Sequence, residues 1–122
     1  MQILRVEHKI DGKGIFNSAT KSGNPRLFRM KGGVRLNNRH SSKFPVPYLD
    51  KGINRSPYFY EFCAFKSVEQ FQQWVTIDEI KRLIKIGFRV LLLDVKNCLV
   101  GEQQVLFEKK NIIKTRDISE LF

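Results

Sequence analysis

The spacing of apolar and polar residues divides the sequence into strands, two helices and one long irregular region. Residues Gln2–Val6 alternate weakly and include β-branched side chains, which predicts a short first strand. The stretch from Asp11 to Pro57 is rich in glycine, proline and asparagine, which interrupt regular structure. Within it, Leu27–Met30 and Gly33–Leu36 are predicted to pair as a hairpin. An irregular region this long inside a compact domain is typical of a functional segment.

The residues that follow predict an aromatic strand and then a pair of helices. Tyr58–Phe65 is densely aromatic and predicts a buried strand. Ser67 and Thr76 each begin a capping-box pattern, Ser-x-x-Gln and Thr-x-x-Glu, and apolar residues at helical spacing follow both. Gly87 predicts the end of the second helix, because glycine readily adopts the backbone conformation found there. We therefore expect two short consecutive helices between Ser67 and Gly87.

The last third of the sequence predicts further strands. Phe88–Val95 is apolar on both faces in its middle, which is typical of a central strand. Gln103–Glu108 predicts another strand after the turn at Gly101, whereas Asn111–Phe122 fits either a final strand or a helical turn. This order predicts an α+β fold, with two consecutive helices packed on a curved antiparallel or mixed sheet. Residues 1–122 are expected to form a single domain, in which 17–57 are a basic, loop-rich functional region and 58–122 the scaffold.

Composition limits the classes to which the protein can belong. Its 122 residues are enough for one core, and 42% of them are hydrophobic, as in ordinary globular proteins. Apolar stretches such as Val90–Leu93 are far short of the roughly 20 residues that span a membrane, so no membrane partner is expected. The first residues lack the pattern of a signal peptide, which predicts a cytoplasmic protein. With only two cysteines and two histidines and no HExxH motif, no metal site is expected.

Charge is distributed very unevenly. The formal net charge is +10, and residues 1–55 carry twelve Lys/Arg against three acidic residues, whereas residues 56–122 are nearly neutral. Seven cations lie between residues 21 and 43 with no acidic residue among them: Lys21, Arg26, Arg29, Lys31, Arg35, Arg39 and Lys43. A field of one sign attracts polyanions. We therefore expect a nucleic acid or an acidic host protein as the partner, bound by these seven residues.

Few residues suggest catalysis. Neither Gly12-Lys13-Gly14 nor Gly32-Gly33 matches a Walker or dinucleotide-binding motif. His8 follows a predicted strand beside charged neighbours, which favours a solvated or phosphate-contacting histidine over a general base. The aromatic run from Tyr58 to Phe65 fits two roles, a base-stacking platform or core packing, and alternation along a strand favours the core. Trp74 is likewise expected in the core.

The polar turn at Glu102-Gln103-Gln104 runs directly into an apolar strand. It places a carboxylate and amide groups at the end of a sheet, where functional sites commonly gather. The simpler interpretation is an ordinary polar turn before a strand.

Several short motifs together resemble a family of small proteins encoded by bacteriophages. The resemblance covers most of the sequence but is thin over residues 17–57. It rests on the following segments: Leu4-Arg5-Val6-Glu7-His8, Phe62-Cys63-Ala64-Phe65-Lys66-Ser67 leading to Phe71 and Trp74, Gly87-Phe88, and Gly101 followed by Gln104-Val105-Leu106-Phe107.

The layout is also similar, more faintly, to that of ADP-ribosyltransferases. That resemblance implies NAD as cofactor, with Arg5 binding its phosphates and Ser67 orienting the nicotinamide ribose region. Glu102 and Gln104 lie in the turn where these enzymes carry the catalytic glutamate. The sequence departs from the family pattern at Gln104, because a neutral amide cannot stabilise an oxocarbenium ion by charge.

Two functions from different classes follow. The first is a phage accessory protein for host takeover or counter-defence, which needs no cofactor and binds a polyanionic host target through its basic N-terminal half. The alternative is an NAD-dependent ADP-ribosyltransferase-like enzyme that modifies a host macromolecule. The first requires only the charge distribution, whereas the second must also explain the missing glutamate; whether the protein is an enzyme is left open.

Overall fold

The computed structural model describes residues 1–10, 12, 14, 15 and 47–122. Within them it contains six strands and two α-helices, with short 3-10 turns at Pro47–Leu49, Lys109–Asn111 and Ser119–Leu121. The strands are β1 (Gln2–His8), β2 (Glu61–Ala64), β3 (Phe88–Val95), β4 (Leu99–Val100), β5 (Val105–Glu108) and β6 (Ile112–Asp117). The helices are α1 (Val68–Trp74) and α2 (Ile77–Lys85). These elements confirm the predicted α+β class.

The strands form two three-stranded sheets in which all pairs are antiparallel. The first has the order β1-β3-β6 and the second the order β2-β5-β4. They are joined where Leu4 of β1 exchanges two backbone hydrogen bonds with Phe65, of 2.7 and 2.8 Å. Beyond this bridge, β2 leaves β1 and pairs with β5 instead. In place of the single sheet predicted from the sequence, the structure therefore has two sheets, which are joined at one bridged pair of residues.

Strand β3 lies at the centre of the first sheet and contributes to the core on both faces, as predicted. On one face, Phe88 and Val90 pack in a cluster with the helical residues Phe71, Trp74 and Leu83. On the other face, a second cluster joins the first sheet to the second through Ile3, Leu91, Leu93, Val105 and Phe107. Burial of each such large side chain contributes about 1.5–3 kcal/mol relative to its exposure. The helices thus cover one face of the first sheet, and the second sheet covers the other.

Local hydrogen bonds define the ends of both helices at the predicted positions. Thr76 forms a complete capping box with Glu79 at the start of α2. At the start of α1, the Ser67 hydroxyl accepts a bond of 3.0 Å from the Gln70 N–H. The Gln70 side chain, however, accepts from the Lys66 N–H instead of that of Ser67, so the reciprocal half of this predicted box is wrong. Gly87, with φ of +105°, ends α2 as predicted.

Three predicted strands have different limits in the structure. Strand β1 continues past Val6 to His8, because its whole length pairs with β3. Strand β5 begins at Val105, and the C-terminal residues form both a strand and a 3-10 turn. The prediction of a buried strand over Tyr58–Phe65 is correct only in part. Strand β2 covers Glu61–Ala64 and its first three residues are half-buried, whereas Ala64 and Phe65 are buried. The predicted hairpin of residues 27–36 lies outside the described residues.

Candidate functional site

The seven predicted polyanion-binding residues, Lys21, Arg26, Arg29, Lys31, Arg35, Arg39 and Lys43, lie outside the described residues. The segment that follows them is described from Pro47 onwards and is attached to the scaffold at Asp50. The buried Asp50 carboxylate accepts from the Gln103 N–H at 3.1 and 3.2 Å, and the Glu102 N–H donates to the Lys51 carbonyl at 2.8 Å. Ile53 is also buried. The end of the predicted basic region is therefore held against the turn that precedes β5.

A cleft of about 210 Å³ lies where β1 and β2 diverge, and Arg5 and Gln104 both line it. The Arg5 side chain is buried, and its guanidinium crosses the gap between the strands. It donates to the Cys63 carbonyl at 2.7 Å and to the Gly12 carbonyl at 3.1 Å, and it lies 5.3 Å from the Phe62 ring centroid. Its buried Nε has no hydrogen-bond partner among the described residues. Arg5 therefore connects β2 to the segment that follows β1.

The environment of the cleft disfavours the thiolate form of Cys63. Burial lowers the pKa of Arg5, and the Glu7 carboxylate opposes this effect. Burial raises the pKa of the Cys63 thiol, while the Arg5 charge opposes the rise. A cysteine becomes a good nucleophile when its pKa falls, so Cys63 is held in its less reactive thiol form. The cleft combines the buried Arg5 cation, the Glu61 carboxylate, the Cys63 thiol and the Gln104 amide with apolar walls.

The four residues of the predicted NAD site are not assembled into one pocket. Arg5 and Gln104 face the cleft, but Ser67 caps α1 and lines a separate groove together with Gln2 and Arg116. Glu102 is exposed in the turn before β5, and its carbonyl accepts from the Gln70 side chain at 3.2 Å. Ser67 and Glu102 therefore have structural contacts outside the cleft.

His8 is buried, so the prediction of a solvated or phosphate-contacting histidine is wrong. Its Nδ1 accepts from the Ile10 N–H at 3.2 Å, and its Nε2 lies 3.1 Å from the Ile86 carbonyl. These partners require Nε2 to carry the proton and donate it to that carbonyl. The ring also packs edge-on against Phe88 with a centroid separation of 5.1 Å. His8 therefore holds the end of β1 to the end of α2.

Tyr58, Phe59 and Tyr60 form an exposed aromatic turn immediately before β2. Their exposed fractions are 53%, 96% and 44%, so core packing is wrong for these three residues. The Tyr58 and Tyr60 rings lie 5.5 Å apart at an interplanar angle of 32°, and the Phe59 ring meets Tyr60 edge-on at 5.1 Å. Core packing is confirmed for Phe65 and Trp74, which are buried.

Arg55 and Glu61, which sequence reasoning did not single out, organise the aromatic turn. The Glu61 carboxylate accepts two bonds from the Arg55 guanidinium, of 2.6 and 2.9 Å, and one from the Tyr58 N–H, of 2.8 Å. The guanidinium lies 4.3 Å from the Tyr58 ring centroid. The bonds from Arg55 hold the pKa of Glu61 below its usual range. The sequence pattern that indicates this contact is an arginine and a glutamate, Arg55 and Glu61, on either side of a segment that contains a proline and three aromatic residues.

Two negative findings apply to the described residues. None of them forms a group of three or more His, Cys, Asp or Glu side chains suited to a metal ion. No helix among them has the length and apolar character needed to cross a bilayer.

Comparison with known proteins gives one match. The family model described as bacteriophage T4 Y00F protein matches residues 1–120. No curated protein matches this sequence, and no solved structure matches it. These comparisons give no support to the ADP-ribosyltransferase resemblance, whereas they confirm the resemblance to a phage-encoded family. The match covers nearly the whole length, and the chain belongs to the bacteriophage T4 Y00F protein family.

Proposed function

We propose that this phage protein binds a polyanionic host target in the host cytoplasm, as an accessory protein for host takeover or counter-defence. The observation that carries the proposal is the charge distribution. Nearly all of the net charge of +10 belongs to residues 1–55, and residues 21–43 contain seven cations and no acidic residue. A surface that only improves solubility usually mixes charges of both signs, whereas a segment of one sign favours association with a polyanion.

The contacts of the acidic residues support an external partner. Among the described residues, six carboxylates already have partners. Glu7, Glu61 and Glu108 pair with Lys109, Arg55 and Lys110, whereas Asp50, Glu79 and Asp117 accept backbone N–H bonds. The whole protein has only twelve acidic residues. The 22 Lys and Arg residues of the protein exceed these carboxylates by ten, and a polyanion would supply the missing negative charge.

The test compares two charge-reversal variants with the same net charge. One carries Arg29→Glu, Lys31→Glu and Arg35→Glu; the control carries Lys66→Glu, Lys96→Glu and Lys114→Glu, three exposed scaffold positions. Binding to single-stranded DNA, heparin and polyglutamate is measured across a salt series. Loss of three phosphate contacts should reduce the slope of log K against log salt for DNA by about 2 in the first variant only. Equal losses in both variants, or an unchanged first variant, would contradict the assignment to residues 21–43.

A further inference from the structure

We infer that the aromatic turn of Tyr58, Phe59 and Tyr60 is a stacking surface for the unpaired bases of single-stranded nucleic acid. The inference rests on the proposed function and names the ligand class of that same basic protein. It assigns base contact to the aromatic turn.

The exposure of the rings is the first observation. Large aromatic side chains normally bury 150–250 Å² each, roughly, and contribute strongly to small cores. Here Phe59 is 96% exposed, and the two adjacent tyrosines are about half exposed. Phe62 and Phe65, a few residues further along the sequence, take the packing positions instead. The three rings of the turn are therefore available for contact with a ligand.

The turn is held in place before any ligand binds. Glu61 belongs to β2, where it is opposite Glu108 of β5, and its carboxylate fixes both Arg55 and the Tyr58 backbone N–H. The Glu61 N–H in turn donates to the Tyr58 carbonyl at 3.0 Å. With Arg55 stacked on one side of Tyr58, the rings have a defined arrangement, so little conformational entropy is lost when a base stacks on them.

The charge of the protein distinguishes two possible ligands of this surface, an apolar protein partner and a single-stranded nucleic acid. Exposed aromatic rings alone also fit an apolar protein partner. In this protein they follow closely after a run of seven cations, since Lys43 and Tyr58 are separated by 14 residues. Aromatic side chains for bases, combined with cations for the backbone, are the typical arrangement of single-strand binding proteins. A duplex offers no unpaired base faces along its length, so the structure favours a single strand.

The test separates stacking from charge by using two ligands with the same backbone. The full-length protein is titrated with oligothymidylate and with an abasic oligonucleotide of equal length, in the same salt. We expect the wild-type protein to bind the base-containing strand more tightly by roughly 5- to 100-fold, the range for one stacked base. Phe59→Ala should lose most of this preference, whereas Phe59→Trp should retain it. Ile113→Ala, at an exposed apolar residue of β6, is the matched control and should behave like wild type.

The possible outcomes distinguish a failure of the inference from a failure of the proposed function. Equal, salt-sensitive binding of both strands by the wild-type protein would overturn stacking and leave polyanion binding intact. A preference that survives in Phe59→Ala, Tyr58→Ala and Tyr60→Ala would overturn the assignment to this turn. Binding of polyglutamate but of neither oligonucleotide would overturn the inference in favour of an acidic protein partner. Failure to bind single-stranded DNA, heparin or polyglutamate at low salt would refute the proposed function itself.

Discussion

Substitution of Gly87 by alanine tests the role of His8 at the junction of β1 and α2. Gly87 has φ of +105°, and a Cβ at this position would lie 2.6 Å from Nε2 of His8. The methyl group therefore cannot fit unless the imidazole moves. Movement of the ring breaks its bonds to the Ile86 carbonyl and to the Ile10 N–H.

The expected loss of stability has two separable parts. The positive φ costs about 1–2 kcal/mol for any residue with a Cβ. Displacement of His8 adds about 1–2 kcal/mol, since each lost hydrogen bond contributes about 1 kcal/mol. For a protein of 122 residues, a total of about 2–4 kcal/mol lowers Tm by roughly 8–16 °C.

A double-mutant cycle measures the two parts by urea unfolding. The fluorescence of Trp74, the only tryptophan and a buried one, reports the transition. Once His8→Ala has removed the ring, Gly87→Ala should cost only the backbone part, so its effect should be smaller by about 1–2 kcal/mol than in the wild-type background. Equal costs in both backgrounds would show that His8 does not occupy the space beside Gly87. A change within about 0.5 kcal/mol in the wild-type background would refute the backbone argument as well.

Two further predictions concern titratable groups. Bonds from the Ser119 hydroxyl and N–H hold the pKa of Asp117 below its usual value, so the resulting stability is present above about pH 4 and is lost as pH falls through the lowered pKa. Asp117→Asn should therefore lower the free energy of unfolding at pH 7, as measured in urea, by less than about 1 kcal/mol, because the carboxylate is exposed. The difference from wild type should disappear as the pH falls through the lowered pKa of Asp117, and a gap that is constant with pH would contradict this. The half-buried Cys63 thiol has a raised pKa, so iodoacetamide at pH 8 should modify Cys63 more slowly in the folded protein than in urea, as followed by mass spectrometry. Equal rates would contradict the raised pKa.

The elements predicted best from the sequence are those held by local contacts. The cap of α2 depends on Thr76 and Glu79, three residues apart, and the start of α1 depends on Ser67 and Gln70. The limits of β3 are predicted correctly because its apolar residues continue on both faces. In each case the atoms that determine the element belong to neighbouring residues, so the pattern contains the required information.

Polar residues fixed by distant parts of the sequence are predicted poorly. Arg5 and His8 are expected from the sequence as ligand-binding or solvated groups, yet their partners are the carbonyls of Cys63 and Ile86, 58 and 78 residues away. The prediction for the aromatic turn is wrong because a local bond, and not a distant contact, determines its structure. The bond from the Glu61 N–H to the Tyr58 carbonyl closes a turn where the density of aromatic residues had indicated a buried strand. Burial of Arg5 and His8 depends on tertiary neighbours that a single sequence does not reveal.

The pairing of β1 with β3 places a slow step in the folding of the protein. Gln2 lies opposite Asp94 and His8 opposite Phe88, so this pairing joins residues 80 to 92 positions apart in sequence. Contacts of such long sequence separation form slowly, because a large loop must close before any bond is gained. During synthesis β1 leaves the ribosome before both helices and before its partner strand β3. Strand β1, with its apolar residues Ile3, Leu4 and Val6, therefore stays without its partner strand until residues 88–95 have been made.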